Sequence, residues 1–319
     1  MSSPIQPIEF NGHSFYVKRD DLFCPVEDEP LGLNGNKARK LHYYLKQDLP
    51  EVSRLVSYGS AQSNMLYSLS CLAKLKGWQL DFYTDHIADN LLRNPRGNYA
   101  AALANGAKVH AVGKAASAQQ KNMAAYVQKN CVQDHYVKDD LSLFIPEGGR
   151  SEFAEQGVKT LAEEINQWVI EKGITNPKVM LPSGTGTSAL YLQKHLPFEV
   201  FTCACVGSAD YLEQQFFELS ENKNHHPTII APPKDAAGNT RKYHFGKCYS
   251  DFYRIWQELQ QQTNICFELL YDPLGWLCLM EYVQQRSEGV KAFDEKILYI
   301  HQGGLLGNQS MIPRYQRRA

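Results

Sequence analysis

The sequence predicts an α/β fold of two open, mostly parallel sheets with flanking helices. Three observations predict it. From about residue 53, short β-type runs alternate with helical stripes in units of roughly 25 to 30 residues, the size of a βαβ crossover. Loops rich in small polar residues and glycine follow directly on several of those runs, where the ligand crevice of an open parallel sheet lies. The chain has 319 residues, 43% of them apolar, enough for two domains or one large one.

The elements follow in order. Residues 8–10 and 14–18 are strand-like, and Asn11-Gly12 between them is a hairpin signal. Arg19-Asp-Asp-Leu22 comes next, then a loop over 31–36. From Lys37 a helical face begins with Leu41, Tyr44 and Leu45. Residues 55–58 are a strand and 59–64 a polar turn. Leu66, Leu69, Leu72 and Ala73 mark a helix that stops before Gly77. A strand at 80–83, a helix at 99–103, a strand at 109–112, a helix at 115–129 and a strand at 143–146 continue the alternation. Val158, Leu161, Ile165 and Trp168 form a helical stripe closed by Gly173. Strand 179–181 runs into a glycine-rich loop. Ala189, Leu192 and Leu196 suggest a helix stopped by Pro197. Strand 200–206 and helix 211–219 precede a polar excursion at 221–247. Phe252, Ile255, Trp256 and Leu259 give a helix. A strand at 267–270, a helix at 277–283 and a strand at 297–300 complete the series. No solenoid repeat is visible.

Lys plus Arg is 33 and Asp plus Glu is 34. So even a balance gives no electrostatic reason to expect nucleic acid or an anionic membrane as partner. Arg314, Arg317 and Arg318 read as a solvated basic tail. Residues 1–10 lack a signal peptide's basic and apolar regions, and no run nears the roughly 20 apolar residues of a membrane span. The eight cysteines are scattered, most of them in core-like segments. Free thiols in a reducing cytoplasm are the plain reading, with no metal site. Cys203 and Cys205 fall on one face of a strand, but no second pair or nearby His supports a metal.

Three loops converge on the expected crevice: 59–64, 182–188 and 301–304. In Ser183-Gly-Thr-Gly-Thr-Ser188, glycines permit close backbone approach, and N–H groups gather at a helix start where an anion binds. It is neither a Walker A loop nor a dinucleotide fingerprint. Alone it reads equally as a phosphate site or as a tight βα turn with Ser and Thr caps. Gln62-Ser63-Asn64 opens a helix, where Ser and Asn are ordinary caps and where a carboxylate could also sit. Lys37, taken alone, is an ordinary solvated lysine.

The order of the pieces changes that reading. Lys18-Arg-Asp-Asp-Leu22, Gly35-Asn-Lys-Ala-Arg-Lys-Leu41, Gln62-Ser-Asn64, Pro146-Glu-Gly-Gly149, Ser183-Gly-Thr-Gly-Thr-Ser-Ala189, Asp272-Pro273 and His301-Gln-Gly-Gly304 occur in one register. Over about residues 15–305 the chain resembles the 1-aminocyclopropane-1-carboxylate deaminase / D-cysteine desulfhydrase family, within the tryptophan-synthase-β-like (fold type II) pyridoxal phosphate enzymes. The resemblance implies a cleft for pyridoxal 5′-phosphate between a large domain, 1–47 with 138–319, and a smaller one, 48–137. Lys37 would carry the cofactor and move the substrate proton. Asn64 would bond the cofactor's 3′ oxygen, and Gly184, Thr185, Gly186, Thr187 and Ser188 would hold its phosphate. Gln62, Ser63 and Asn64 would bind a small amino-acid substrate, with Ser63 also at the chemistry, and Gln302 would face the ring nitrogen.

The chain departs from the family pattern in three places. Met65 stands where the family usually has His. Leu274-Gly275-Trp276 follows Asp-Pro, where the family reads Val-Tyr-x, and Gln302 replaces a threonine. The implied activity is a deaminase or desulfhydrase lyase in a cytoplasmic homodimer. A racemase, a β-replacement enzyme and a non-catalytic cofactor-binding homologue are the alternatives.

Overall fold

In a computed structural model, residues 2–25, 32–114, 118, 122–132, 141–287 and 294–317 are described. β1 (Ile5–Phe10) and β2 (His13–Lys18) form the expected antiparallel hairpin. Asn11 and Gly12 take φ of 49° and 76°, the left-handed pair that matches the strand twist. α1 (Gly35–Lys46) then leads into the smaller sheet.

That sheet holds β3 (Val52–Tyr58), β4 (Gln79–Thr84), β5 (Lys108–Ala111) and β6 (Leu141–Phe144), all parallel, in the order β5-β4-β3-β6. α2 (Asn64–Lys76), α3 (Asp89–Arg93), α4 (Gly97–Ala104) and α5 (Met123–Val127) flank it. α2 is capped by Ser63 and ends on left-handed Gly77, as the sequence suggested.

The larger sheet takes β7 (Lys178–Ser183), β8 (Val200–Ala204), β9 (Thr228–Ile229) and β10 (Ile297–Ile300), in the order β1-β2-β10-β7-β8-β9. Among the described residues, the β1–β2 pair is the one antiparallel pairing in this sheet. α6 (Ala154–Lys172), α7 (Thr187–His195), α8 (Ala209–Phe217), α9 (Ser250–Thr263), α10 (Asp272–Ser287) and α11 (Asn308–Gln316) complete this half. Apolar clusters cover both faces: Phe10, Phe15 and Trp276 sit in one, and Val158, Leu161 and Ile165 in the other. Among the described residues no helix is long and apolar enough to cross a membrane.

The fold class is the expected one, with local differences. Residues 267–270 are not a strand. The Glu268 carboxylate accepts the backbone N–H groups of Leu270, Tyr271 and Asp272, so these groups cap α10 instead of joining a ladder. α10 therefore starts at Asp272, five residues before the apolar run at 277–283, with Pro273 in its first turn, where a missing N–H costs nothing. The polar excursion contains the two-residue strand β9, and the basic tail is partly the helix α11. The helix expected over 115–129 lies partly outside the described residues, as does the boundary between 137 and 138. β6, placed by that boundary in the large domain, pairs with β3 of the smaller sheet.

Candidate active site

One cavity of about 370 Å³ opens at the carboxyl ends of both sheets. Its wall includes Lys37, Gln62, Ser63, Asn64, Gly184 to Ser188 and Gln302. The candidate site residues that the sequence analysis named thus all line one cavity.

Lys37 is the third residue of α1, and two backbone contacts seat the start of that helix. The Gly35 N–H donates to the Phe23 carbonyl at 3.1 Å and the Asn36 N–H to the Gln302 carbonyl at 3.0 Å. Gly35 has φ 63°, and a Cβ there would overlap the Gln302 carbonyl oxygen, so glycine is required. The Lys37 Nζ donates to Asn36 Oδ1 at 3.0 Å. The Asn36 amide is itself fixed: its Nδ2 donates to Gln302 Oε1 at 2.9 Å, and Gln302 Nε2 donates to the Pro182 carbonyl at 2.7 Å. Burial pulls the Lys37 amine down to about 8, against the pull of the Glu268 carboxylate.

Behind α1 lies a buried cage of charge. Arg39 donates to Asp20 at 2.7 Å and to Glu164 at 2.6 Å; Lys18 donates to Glu164 at 2.7 Å; the Ser3 hydroxyl donates to Asp20 at 2.9 Å. Arg39 is 1% exposed and Asp20 0%. The Lys-Arg-Asp-Asp motif is thus a foundation for α1 rather than part of the cavity wall.

The loop after β7 turns through Gly186, at φ 72°, into the N-terminus of α7. Thr185 and Thr187 hydroxyls lie 3.1 Å apart. The Ser188 Oγ is buried and has no hydrogen-bond partner among the described residues. Lys40, which the sequence reading did not single out, also lines the cavity. Its Nζ donates to the Gly148 carbonyl at 3.0 Å, and a Cβ on Gly148 would meet Thr185, so this amine lies close to the loop. Burial and the neighbouring Lys37 hold its pKa well down, and no carboxylate pairs with it among the described residues. Hydroxyls, backbone N–H groups and an uncompensated lysine make an anion site.

On the opposite wall, Ser63 Oγ accepts the Leu66 N–H at 3.1 Å, the expected cap, and still has its own proton to donate. Asn98 Nδ2 donates to the Gln62 carbonyl at 3.0 Å and to Asn64 Oδ1 at 2.7 Å. That fixes the Asn64 amide with its NH₂ toward Gly304. Met65, where a His was expected, is a buried apolar wall residue.

The departures after Asp272-Pro273 resolve structurally. A Cβ on Gly275 would lie 2.6 Å from the Tyr299 hydroxyl, which bonds Asp272 at 2.8 Å, so there is no room for a side chain. Trp276 is fully buried, stacked on Tyr299 at 4.4 Å, and does not line the cavity. Tyr271 does line it, with its ring 5.0 Å from that of Phe245, and burial keeps its phenol protonated. Glu268 is another cavity residue that sequence reasoning missed. Burial raises its carboxyl to about 7 although three N–H groups favour the anion. A lone carboxylate inside the apolar run 265–270 was the available signal. His301 is buried too: its ring bonds the Cys266 carbonyl at 2.9 Å and accepts the Gly303 N–H at 3.3 Å, so it shapes the 301–304 turn.

This arrangement can be set beside known proteins. The solved structure described as an ACC deaminase homologue superposes with a TM-score of 0.74 at 19% identity, covering 100% of this chain and 94% of that one. The chain has the fold of the type II pyridoxal phosphate enzymes. No family model matches this chain. A putative 1-aminocyclopropane-1-carboxylate deaminase of Pyrococcus furiosus is 23% identical over 313 residues, 93% of this chain and 86% of that protein. A hydrogen sulfide-producing enzyme of Fusobacterium nucleatum shares the fold at a TM-score of 0.59 and 13% identity, covering 94% of this chain and 93% of that one. The resemblance drawn from the motifs points to the same group of proteins.

Proposed function

We propose that this chain carries pyridoxal 5′-phosphate on Lys37 and is a lyase acting on a small amino acid, releasing a 2-oxo acid and ammonia. D-cysteine and 1-aminocyclopropane-1-carboxylate are the first substrates to try. The observation that carries the reading is the placement of Lys37. A lysine with its pKa lowered to about 8 by burial shares one cavity with an anion-binding helix N-terminus.

The residues present fit the cofactor. An unpartnered Ser188 hydroxyl, a loop that turns on Gly186 and an uncompensated Lys40 amine are together what a phosphate would satisfy. Gly184, Thr185 and Thr187 would complete that hold. Bound there, the cofactor would supply an electron sink for the pair left when a proton departs from the substrate. The Lys37 Nζ would take and hold that proton, with Asn36 Oδ1 as its resting partner. Gln62, Ser63 and the α2 N-terminus would bind the substrate carboxylate. Asn64, oriented by Asn98, would offer its NH₂ to the cofactor. Gln302 has one N–H and one acceptor position uncommitted for the ring nitrogen, and no charge.

Protein incubated with the cofactor should turn yellow, and borohydride should fix the label on Lys37, read by peptide mass spectrometry. A scan of D- and L-amino acids should then show keto-acid release. A protein that stays colourless and takes up no cofactor overturns the reading. Inverted or replaced amino acid as product would reassign it to a racemase or β-replacement enzyme, and a labelled protein inert to every amino acid to a non-catalytic homologue.

Attachment also has an expected pH profile. Only the neutral amine is nucleophilic, and burial lowers the pH at which Lys37 loses its proton. The rate of cofactor attachment, followed by absorbance, should therefore climb with pH through about 8 and level off above it. A climb that continues towards the ordinary lysine value of 10.5 would show an amine that burial does not perturb.

A further inference from the structure

The helix α11 carries a polar stripe into the same cavity. Ser310 and Arg314 both line it, four residues apart and so on one face of the helix. Ser310 is 6% exposed, and its Oγ has no hydrogen-bond partner among the described residues. Arg314 is half-buried. Its Nη2 donates to the Gly246 carbonyl at 2.7 Å and its Nη1 lies 3.1 Å from the Met311 sulfur. No carboxylate pairs with it among the described residues. A guanidinium has five N–H donors, so most of its donors are uncommitted.

The acids lining the cavity are occupied elsewhere. Glu268 is taken up by three backbone N–H groups. Asp272 is bonded to Tyr299 and to the Glu268 N–H. Glu147 is pushed towards its neutral form by burial and by Asp85. The stripe begins at the α2 N-terminus, proposed above for the substrate carboxylate, since a Cβ on Gly307 would lie 3.6 Å from Oδ1 of Asn64, the first residue of α2. From Gly307 it runs one turn to Ser310 and two turns to Arg314.

We infer that Ser310 and Arg314 form a subsite for a second carboxylate, so that the ligands of this cavity are amino acids whose side chain ends in a carboxylate. The inference rests on the proposed function, which puts an amino acid in this cavity, and it moves the substrate class from D-cysteine and 1-aminocyclopropane-1-carboxylate to acidic amino acids. The planar guanidinium matches a carboxylate in geometry and charge, and the Ser310 hydroxyl gains a partner. A neutral amide could accept hydrogen bonds there but would leave the guanidinium without a counter-charge, which is the basis for discrimination. On sequence alone Arg314 read as part of a solvated tail; the structure turns it into the cavity wall.

The test uses the cofactor-loaded protein, with the borohydride label on Lys37 checked first. Calorimetry and the absorbance of the bound cofactor are followed during titration with D- and L-aspartate, asparagine, glutamate and glutamine. One acid should bind at least about tenfold more tightly than its own amide. Arg314→Gln should bring that ratio to about one, and Arg314→Lys should restore part of it. A wild-type ratio near one overturns the subsite, and the wild-type ratio decides even if the variant fails to fold. A ratio that survives Arg314→Gln also overturns it, as it would if the guanidinium held the α-carboxylate. Absence of the Lys37 label sinks the proposed function itself, whereas a labelled protein without acid preference sinks only the subsite.

Discussion

Lys37→Ala should abolish the borohydride-fixed label and lower turnover by about 100- to 10,000-fold, the span expected when a positioned acid–base group is lost. The nearest substitute is Lys40, also buried in the cavity wall. It is poorly placed to take over, because its Nζ is bonded to the Gly148 carbonyl beside the phosphate-type loop. Loop 183–188 is untouched by the substitution, so the variant should still take up cofactor reversibly. That separates loss of attachment from loss of binding. Intact-mass analysis after reduction and a keto-acid assay read the two outcomes. A covalent label that persists on another lysine would show that Lys37 is not the anchor.

The second large effect concerns the cage behind α1. Asp20→Ala should destabilise the protein by about 3–5 kcal/mol, measured by urea unfolding. The cost arises because Arg39, 1% exposed, would keep Glu164 as its one carboxylate partner among the described residues, and already shares it with Lys18. Arg39 also lies 3.5 Å over the Phe23 ring, so it has no path to water without repacking. The Lys159–Glu163 pair is the contrast. It lies on an exposed helix face at 4.0 Å, and breaking it should cost no more than about 0.5 kcal/mol. A loss below about 1 kcal/mol for Asp20→Ala would mean that the cage relaxes around the missing carboxylate.

The alternation of strand and helix was legible because burial on a sheet and on a helix imposes different periods on apolar residues. Val158, Leu161 and Ile165 show the helical one, and all three are core residues. The site was legible where chemistry and backbone coincide. Glycines at 35 and 186 are needed for close approach or a left-handed turn, and the residues beside them line the cavity. What stayed hidden depends on tertiary context. Glu268 sits in a run that has strand composition, and only the fold shows its carboxylate capping α10. Lys40 and Arg314 resemble any solvated cation until burial and missing counter-charges are seen. Trp276 looked like a change at the site, yet the helix that carries it turns that ring into the core.

The order of strands in the larger sheet also bears on synthesis. β2 (His13–Lys18) pairs with β10 (Ile297–Ile300), a partner about 280 residues later in the chain. Until β10 is made, the outer edge of β2 therefore stays open, the kind of edge that recruits foreign strands. The same delay applies to the lysine pocket, since Asn36 and Gln302 meet only when β10 is in place. A nascent chain of this topology would become competent for cofactor only after Gln302 had left the ribosome.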